Sequence, residues 1–185
     1  IANEIKLRKR LAKGNAICHS TIMFRNEGEN YYREKFIYSQ DYDFYLMLLS
    51  EGERLINIQD ILTKYRITPN AISWNEGKDV KQKLFALKAR DFYHQRVQCG
   101  KDLYNEFNPN EILNLDLENS TDKVVLFSKV RFSFRRNNFK ETREICRRYF
   151  RCYGYLNMIL LYYLSTSLGK SVVNFIRKMK SITAT

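Results

Sequence analysis

A chain of 185 residues with 44% hydrophobic and 14% aromatic side chains has ample material for a packed core, which excludes an intrinsically disordered segment. Two prolines and seven glycines exclude a linker-rich chain and favour long helices. The net charge of +12 is lopsided: residues 129–185 hold 13 Lys and Arg against two acids, Glu141 and Glu144, and the first 128 residues are nearly neutral.

Residues 3–13 fit a short basic helix ended by Gly14, whose missing side chain suits a helix C-terminus. Residues 17–24 then read as a strand, because apolar or small residues roughly alternate and Thr21 and Ile22 are β-branched. Ser39 is the expected N-cap of the next helix. From Asp41 its apolar residues Phe44, Leu46, Met47, Leu48 and Leu49 recur at helical spacing until Gly52 stops the run. Two short strands follow at 55–58 and 61–67, before Pro69 and Asn70 break the pattern. Residues 1–70 therefore read as mixed α/β.

From Lys78 onward the chain reads as helical, over 80–107, 122–136, 138–153 and 155–180, with the change of character near 69–78. Phe139, Ile145, Cys146, Tyr149 and Phe150 would give one antiparallel hairpin its buried face. Residues 152–169 carry no charge, but Asn157, Ser165-Thr166-Ser167 and Gly169 interrupt the apolar stretch, so a core or interfacial helix is expected instead of a membrane span. Val172, Val173, Phe175 and Ile176 beside Lys170, Arg177, Lys178 and Lys180 combine basic and apolar faces that suit an anionic bilayer. A core helix with a solvated basic face is the simpler alternative. Cys18, Cys99, Cys146 and Cys152 lack a Cys-x-x-Cys spacing and read as free thiols of a reducing cytosol. With only His19 and His94 present, no zinc site of ordinary spacing can be assembled.

The position of Asp41 in the first turn of a helix points to chemistry, since unpaired amides and the helix dipole hold a carboxylate there and keep it ionised. By position alone, an acid that only stabilises its helix is the simpler reading. Three blocks add to this: Asn15-Ala16-Ile17-Cys18-His19-Ser20-Thr21-Ile22-Met23-Phe24-Arg25, then Gln40-Asp41-Tyr42-Asp43-Phe44-Tyr45, then Ile61-Leu62-Thr63-Lys64-Tyr65-Arg66. In this order and at these spacings, over about residues 12–76, the chain resembles the catalytic half of a family 2 glycosyltransferase of the bacterial cell-surface polysaccharide class.

That resemblance implies an α/β fold, the acceptor half of a GT-A domain over residues 1–76, followed by an all-α helical appendage over 77–185 that is basic from about 129. It implies transfer of a sugar from a nucleotide-sugar donor to a glycan or lipid-linked acceptor, with Asp41 as catalytic base. His19, Gln40 and Asp43 would line the same cleft, Arg66 would approach the diphosphate or pair with a carboxylate, and Trp74 would stack on a sugar ring or pack in the core. The sequence departs from the family in three ways. Ala16 stands for the usual Pro, and Thr68 stands where many relatives carry a His that can bind metal. Ahead of Ile17 there is no strand–helix series ending in Asp-x-Asp, the donor-binding half that holds Mg²⁺ or Mn²⁺ on the diphosphate in relatives. Asp41-Tyr42-Asp43 has the same three-letter form but matches the base block. The resemblance thus implies a C-terminal portion, inactive alone and without metal ligands of its own. It would be peripheral at the cytoplasmic face of the cell membrane, held there by its basic C-terminal region.

Two other readings exist. In one, residues 78–185 are a helical interaction or membrane-surface module, and Asp41 is then expected in a buried salt bridge. In the other, Arg131, Arg135, Arg136, Arg143, Arg147, Arg148 and Arg151 between Phe and Tyr residues bind nucleic acid, although no zinc finger, RNA-recognition motif or helix-turn-helix accompanies them.

Overall fold

The computed structural model describes residues 3–25, 32–64, 66, 75–154, 158–167 and 169–174. These residues are all-helical. They form α1 (Glu4–Leu11), α2 (Gln40–Ser50), α3 (Glu76–Cys99), α4 (Asn110–Leu113), α5 (Lys123–Arg135), α6 (Phe139–Tyr153) and α7 (Ile159–Leu164), with further helical turns at 169–174.

Among the described residues there is no β-strand, which corrects the expected α/β portion over 1–76. In the first expected strand the chain closes a single 3₁₀ turn at His19–Thr21, with Thr21 N–H donating to Cys18 O at 3.0 Å. Over 54–64 the chain is irregular, and Ile56, Ile58, Ile61 and Leu62 are exposed by 75%, 63%, 95% and 74%. A strand is stable only with a ladder partner, and no described segment pairs with this one. Tyr65 and residue 67 of the third expected strand, and residues 68–70 after it, lie outside the described residues.

The chain forms two compact units. In the first, drawn from residues 1–74 and 81–115, α2 is apolar on nearly every side and forms the centre. Its Tyr42, Phe44, Tyr45, Leu46, Leu48 and Leu49 join Leu7 and Leu11 of α1, Phe36, Phe85, Ala89 and Phe92 of α3, and Phe107 in one core. Tyr42 is fully buried, and its hydroxyl donates to Leu11 O at 2.6 Å, serving a carbonyl at the end of α1. Arg33, half-buried beside this core, serves the buried Asp43: it donates to both carboxylate oxygens of Asp43, at 2.7 and 2.5 Å, and to Asp102 at 2.7 Å. Arg96 pairs with the same Asp102.

The second unit takes residues 75–80 and 116–185. Here α5 and α6 pack as a hairpin around Leu126, Val130, Ile145, Cys146 and Tyr149, with Met158 closing the end. Of the expected hairpin face, Phe139, Ile145, Cys146 and Tyr149 are buried and Phe150 is half-buried. Ser133 and Thr142 satisfy each other's buried hydroxyls at 2.9 Å. The buried Asp79 in the first turns of α3 accepts from Arg135 at 3.0 Å. No helix among the described residues is long and apolar enough to cross a membrane.

Candidate functional site

The site is built at the start of α2. Ser39 occupies the N-cap position with φ of 58°, a left-handed conformation uncommon for a residue with a side chain. Its hydroxyl does not cap the helix as expected but donates to Gln82 O of α3 at 2.9 Å. That tie fixes the rotation at which α2 begins. The next residues then distribute themselves by helical geometry, about 100° apart. Tyr42, Asp43, Phe44 and Tyr45 are all buried, and Asp41 alone of the five is half-buried and faces a cleft.

The cleft has a volume of about 420 Å³ and is lined by His19, Tyr32, Ile37, Tyr38, Ser39, Gln40, Asp41 and Gln82. Asn15 Nδ2 donates to Asp41 Oδ2 at 2.9 Å, while Asn15 Oδ1 accepts from the Ile17 N–H at 3.1 Å, so the amide that orients the acid is itself fixed. His19 is held at both ring nitrogens, Nδ1 by the Tyr45 hydroxyl at 2.8 Å and Nε2 by the Tyr32 hydroxyl at 3.3 Å. Burial, together with the negative charge of Asp41, raises the Tyr45 pKa, so this phenol keeps its proton beside His19. Among the described residues no Lys or Arg forms an ion pair with Asp41. The buried salt bridge belongs to Asp43 instead.

Of the residues picked out in the sequence, Asp41, His19 and Gln40 line this cleft together. Asp43 faces the core, only 1% exposed, and burial pushes its carboxyl up against the opposing pull of Arg33. Arg66 is exposed and is not among the residues lining the cleft, and Trp74 lies outside the described residues. Because Asp41 and Asp43 point in different directions, the Asp-Tyr-Asp triplet makes no pair of metal ligands. No group of three His, Cys, Asp or Glu residues able to hold a metal lies together among the described residues, and the resemblance places the Mg²⁺ or Mn²⁺ ligands in the donor-binding half instead of in these blocks. The cleft also includes residues that sequence reasoning did not select. Asn15 heads the first motif block and was legible there, whereas Tyr32, Tyr38 and Gln82 carry no local signal and arrive through the tertiary fold.

The chain matches no family model, no curated protein and no solved structure. The reading of the cleft therefore rests on its own residues and on the three sequence blocks.

Proposed function

We propose that this cleft is the acceptor side of a sugar-transfer site. Asp41 takes the proton from an acceptor hydroxyl as that oxygen attacks the anomeric carbon of a nucleotide-sugar and the nucleoside diphosphate departs. The observation that carries this reading is the meeting of two distant motif blocks in one cleft: Asn15 and His19 from the first, Gln40 and Asp41 from the second.

A general base must be ionised, reachable and oriented. Asp41 is reachable from the cleft, oriented by Asn15 and paired with no cation among the described residues. Tyr32 and Tyr38 supply aromatic surface of the kind that packs on the apolar face of a sugar ring, and the amides of Gln40 and Gln82 suit its hydroxyls. A glycan, free or lipid-linked, is the acceptor class that these groups fit. The donor's nucleotide is assigned to no residue described here.

The test is a transfer assay on the protein that carries this chain, with a panel of nucleotide-sugars and lipid-linked oligosaccharide acceptors. Asp41→Asn is expected to lower kcat by roughly 10²-fold or more, the usual worth of a positioned base, with the thermal midpoint unchanged. Transfer at the wild-type rate by that variant would remove Asp41 from the mechanism.

A further inference from the structure

The second unit carries a surface that its own packing leaves unused. On α6, Lys140, Arg147 and Arg151 recur at helical spacing on the solvent side, all exposed, and none has a carboxylate partner among the described residues. Their neighbours Arg143 and Arg148 are already spent on backbone carbonyls, those of Ser165 and of Ser120 at 3.3 Å. Glu144 is the single acid on this stripe.

Beside the stripe runs α7, brought there by the Arg143 to Ser165 bond and by the Phe150 and Tyr162 rings, 5.6 Å apart. Leu161 and Tyr162 turn inward onto the α5–α6 core. The opposite side of α7 is also apolar, with Ile159, Leu160 and Tyr163 exposed by 58%, 65% and 51%. A six-residue helix that is apolar inside and outside has one face more than the core requires.

We propose that this face docks on an anionic phospholipid bilayer. Lys140, Arg147 and Arg151 meet lipid phosphates, while Ile159 and Leu160 enter the boundary between headgroups and acyl chains and Tyr163 sits at headgroup level. The aliphatic pair decides between anionic partners: a nucleic-acid groove is served by cations and stacking aromatics, and Ile159 and Leu160 would find no counterpart there. The helix lies on the membrane, being far too short to cross it. This surface is independent of the sugar-transfer reading, because all of its residues belong to the second unit.

The experiment is sedimentation of the full chain with two sets of vesicles, phosphatidylcholine alone and phosphatidylcholine mixed with phosphatidylglycerol, alongside competition by duplex DNA. Binding is expected on the phosphatidylglycerol vesicles only. Arg147→Glu with Arg151→Glu should weaken it about tenfold or more and flatten its salt dependence. Ile159→Ser with Leu160→Ser should weaken it similarly while leaving the salt dependence unchanged. Circular dichroism keeps loss of fold separate from loss of binding, and the charge pair stands as the test if the serine pair unfolds. Equal binding to both vesicle types, wild-type binding by the folded variants, or tighter binding to duplex DNA would overturn the proposal.

Discussion

Arg33 is where the buried charge of the first unit is balanced. It forks onto Asp43, reaches Asp102, and lies over the Tyr104 ring at 4.3 Å from its centroid. Burial alone would raise the Asp102 pKa, but hydrogen bonds from Arg33, the Tyr104 N–H and Arg96, with the charge of Arg33, hold it below the ordinary value. A carboxyl depressed in the folded state stabilises the fold above its unfolded pKa, and that contribution is lost as pH falls through the folded value. Asp102→Asn should therefore cost about 2 kcal/mol near neutral pH, the order expected when a charged hydrogen-bond acceptor is removed from a half-buried ion-pair cluster. In urea titrations at several pH values, the gap between variant and wild type should shrink below about pH 4, the ordinary carboxylate range. At the cleft, Asn15 acts through Asp41. On the sugar-transfer proposal, Asn15→Asp places a like charge against the base and should move the acid limb of the pH–rate profile to higher pH. Asn15 is exposed, so its stability should change by less than about 0.5 kcal/mol.

Element boundaries were legible wherever a local hydrogen bond sets them. Asn3 accepts from Lys6 N–H at 3.1 Å, Asp122 accepts from Val124 and Val125 at 2.8 and 3.0 Å, and Asn138 serves Glu141, so α1, α5 and α6 begin where the sequence predicts. Replacing Asp122 with Ala should cost about 1 kcal/mol in denaturant unfolding, with the loss of protection confined to the first turn of α5 in hydrogen exchange. Helix α3 stops at Cys99, short of the expected 107, because Gly100 takes φ of 74° and Asp102 then accepts from Tyr104 N–H at 3.1 Å in a turn. Beyond that turn Tyr104 and Phe107 serve the core without continuing the helix; Phe107 is buried among Phe36, Phe85 and Phe92. The expected strands failed for a different reason. Alternation reports that a segment is suited to an extended backbone and is silent about whether a ladder partner exists, and the exposed Ile56, Ile58 and Ile61 have none among the described residues. The site was half legible: Asn15, His19, Gln40 and Asp41 belong to sequence blocks, whereas Tyr32, Tyr38 and Gln82 are joined to them only by folding.

Across the whole molecule the charge divides with the chain, and the 13 basic residues from 129 onward meet two acids. Self-repulsion of that order opposes compaction and is screened by salt. Raising NaCl from about 0.05 to about 0.5 M, which shortens the screening length severalfold, should increase hydrogen-exchange protection of the α5 and α6 amides. The α1 and α2 amides, in the nearly neutral part of the chain, should change less. The same scale gives meaning to the split between Asp41 and Asp43. In consecutive residues of α2 the chain anchors Tyr42 to α1, Asp43 to Arg33, Phe44 to the aromatic core and Tyr45 to His19, leaving Asp41, beside Gln40, open to the cleft. The direction of that carboxylate is thus settled when the protein folds, and under the sugar-transfer proposal an arriving acceptor would have little left to organise. One practical result concerns mutagenesis: on the sugar-transfer proposal, Asp43→Asn would lower turnover as Asp41→Asn does, and a melting curve would tell the broken anchor from the missing base.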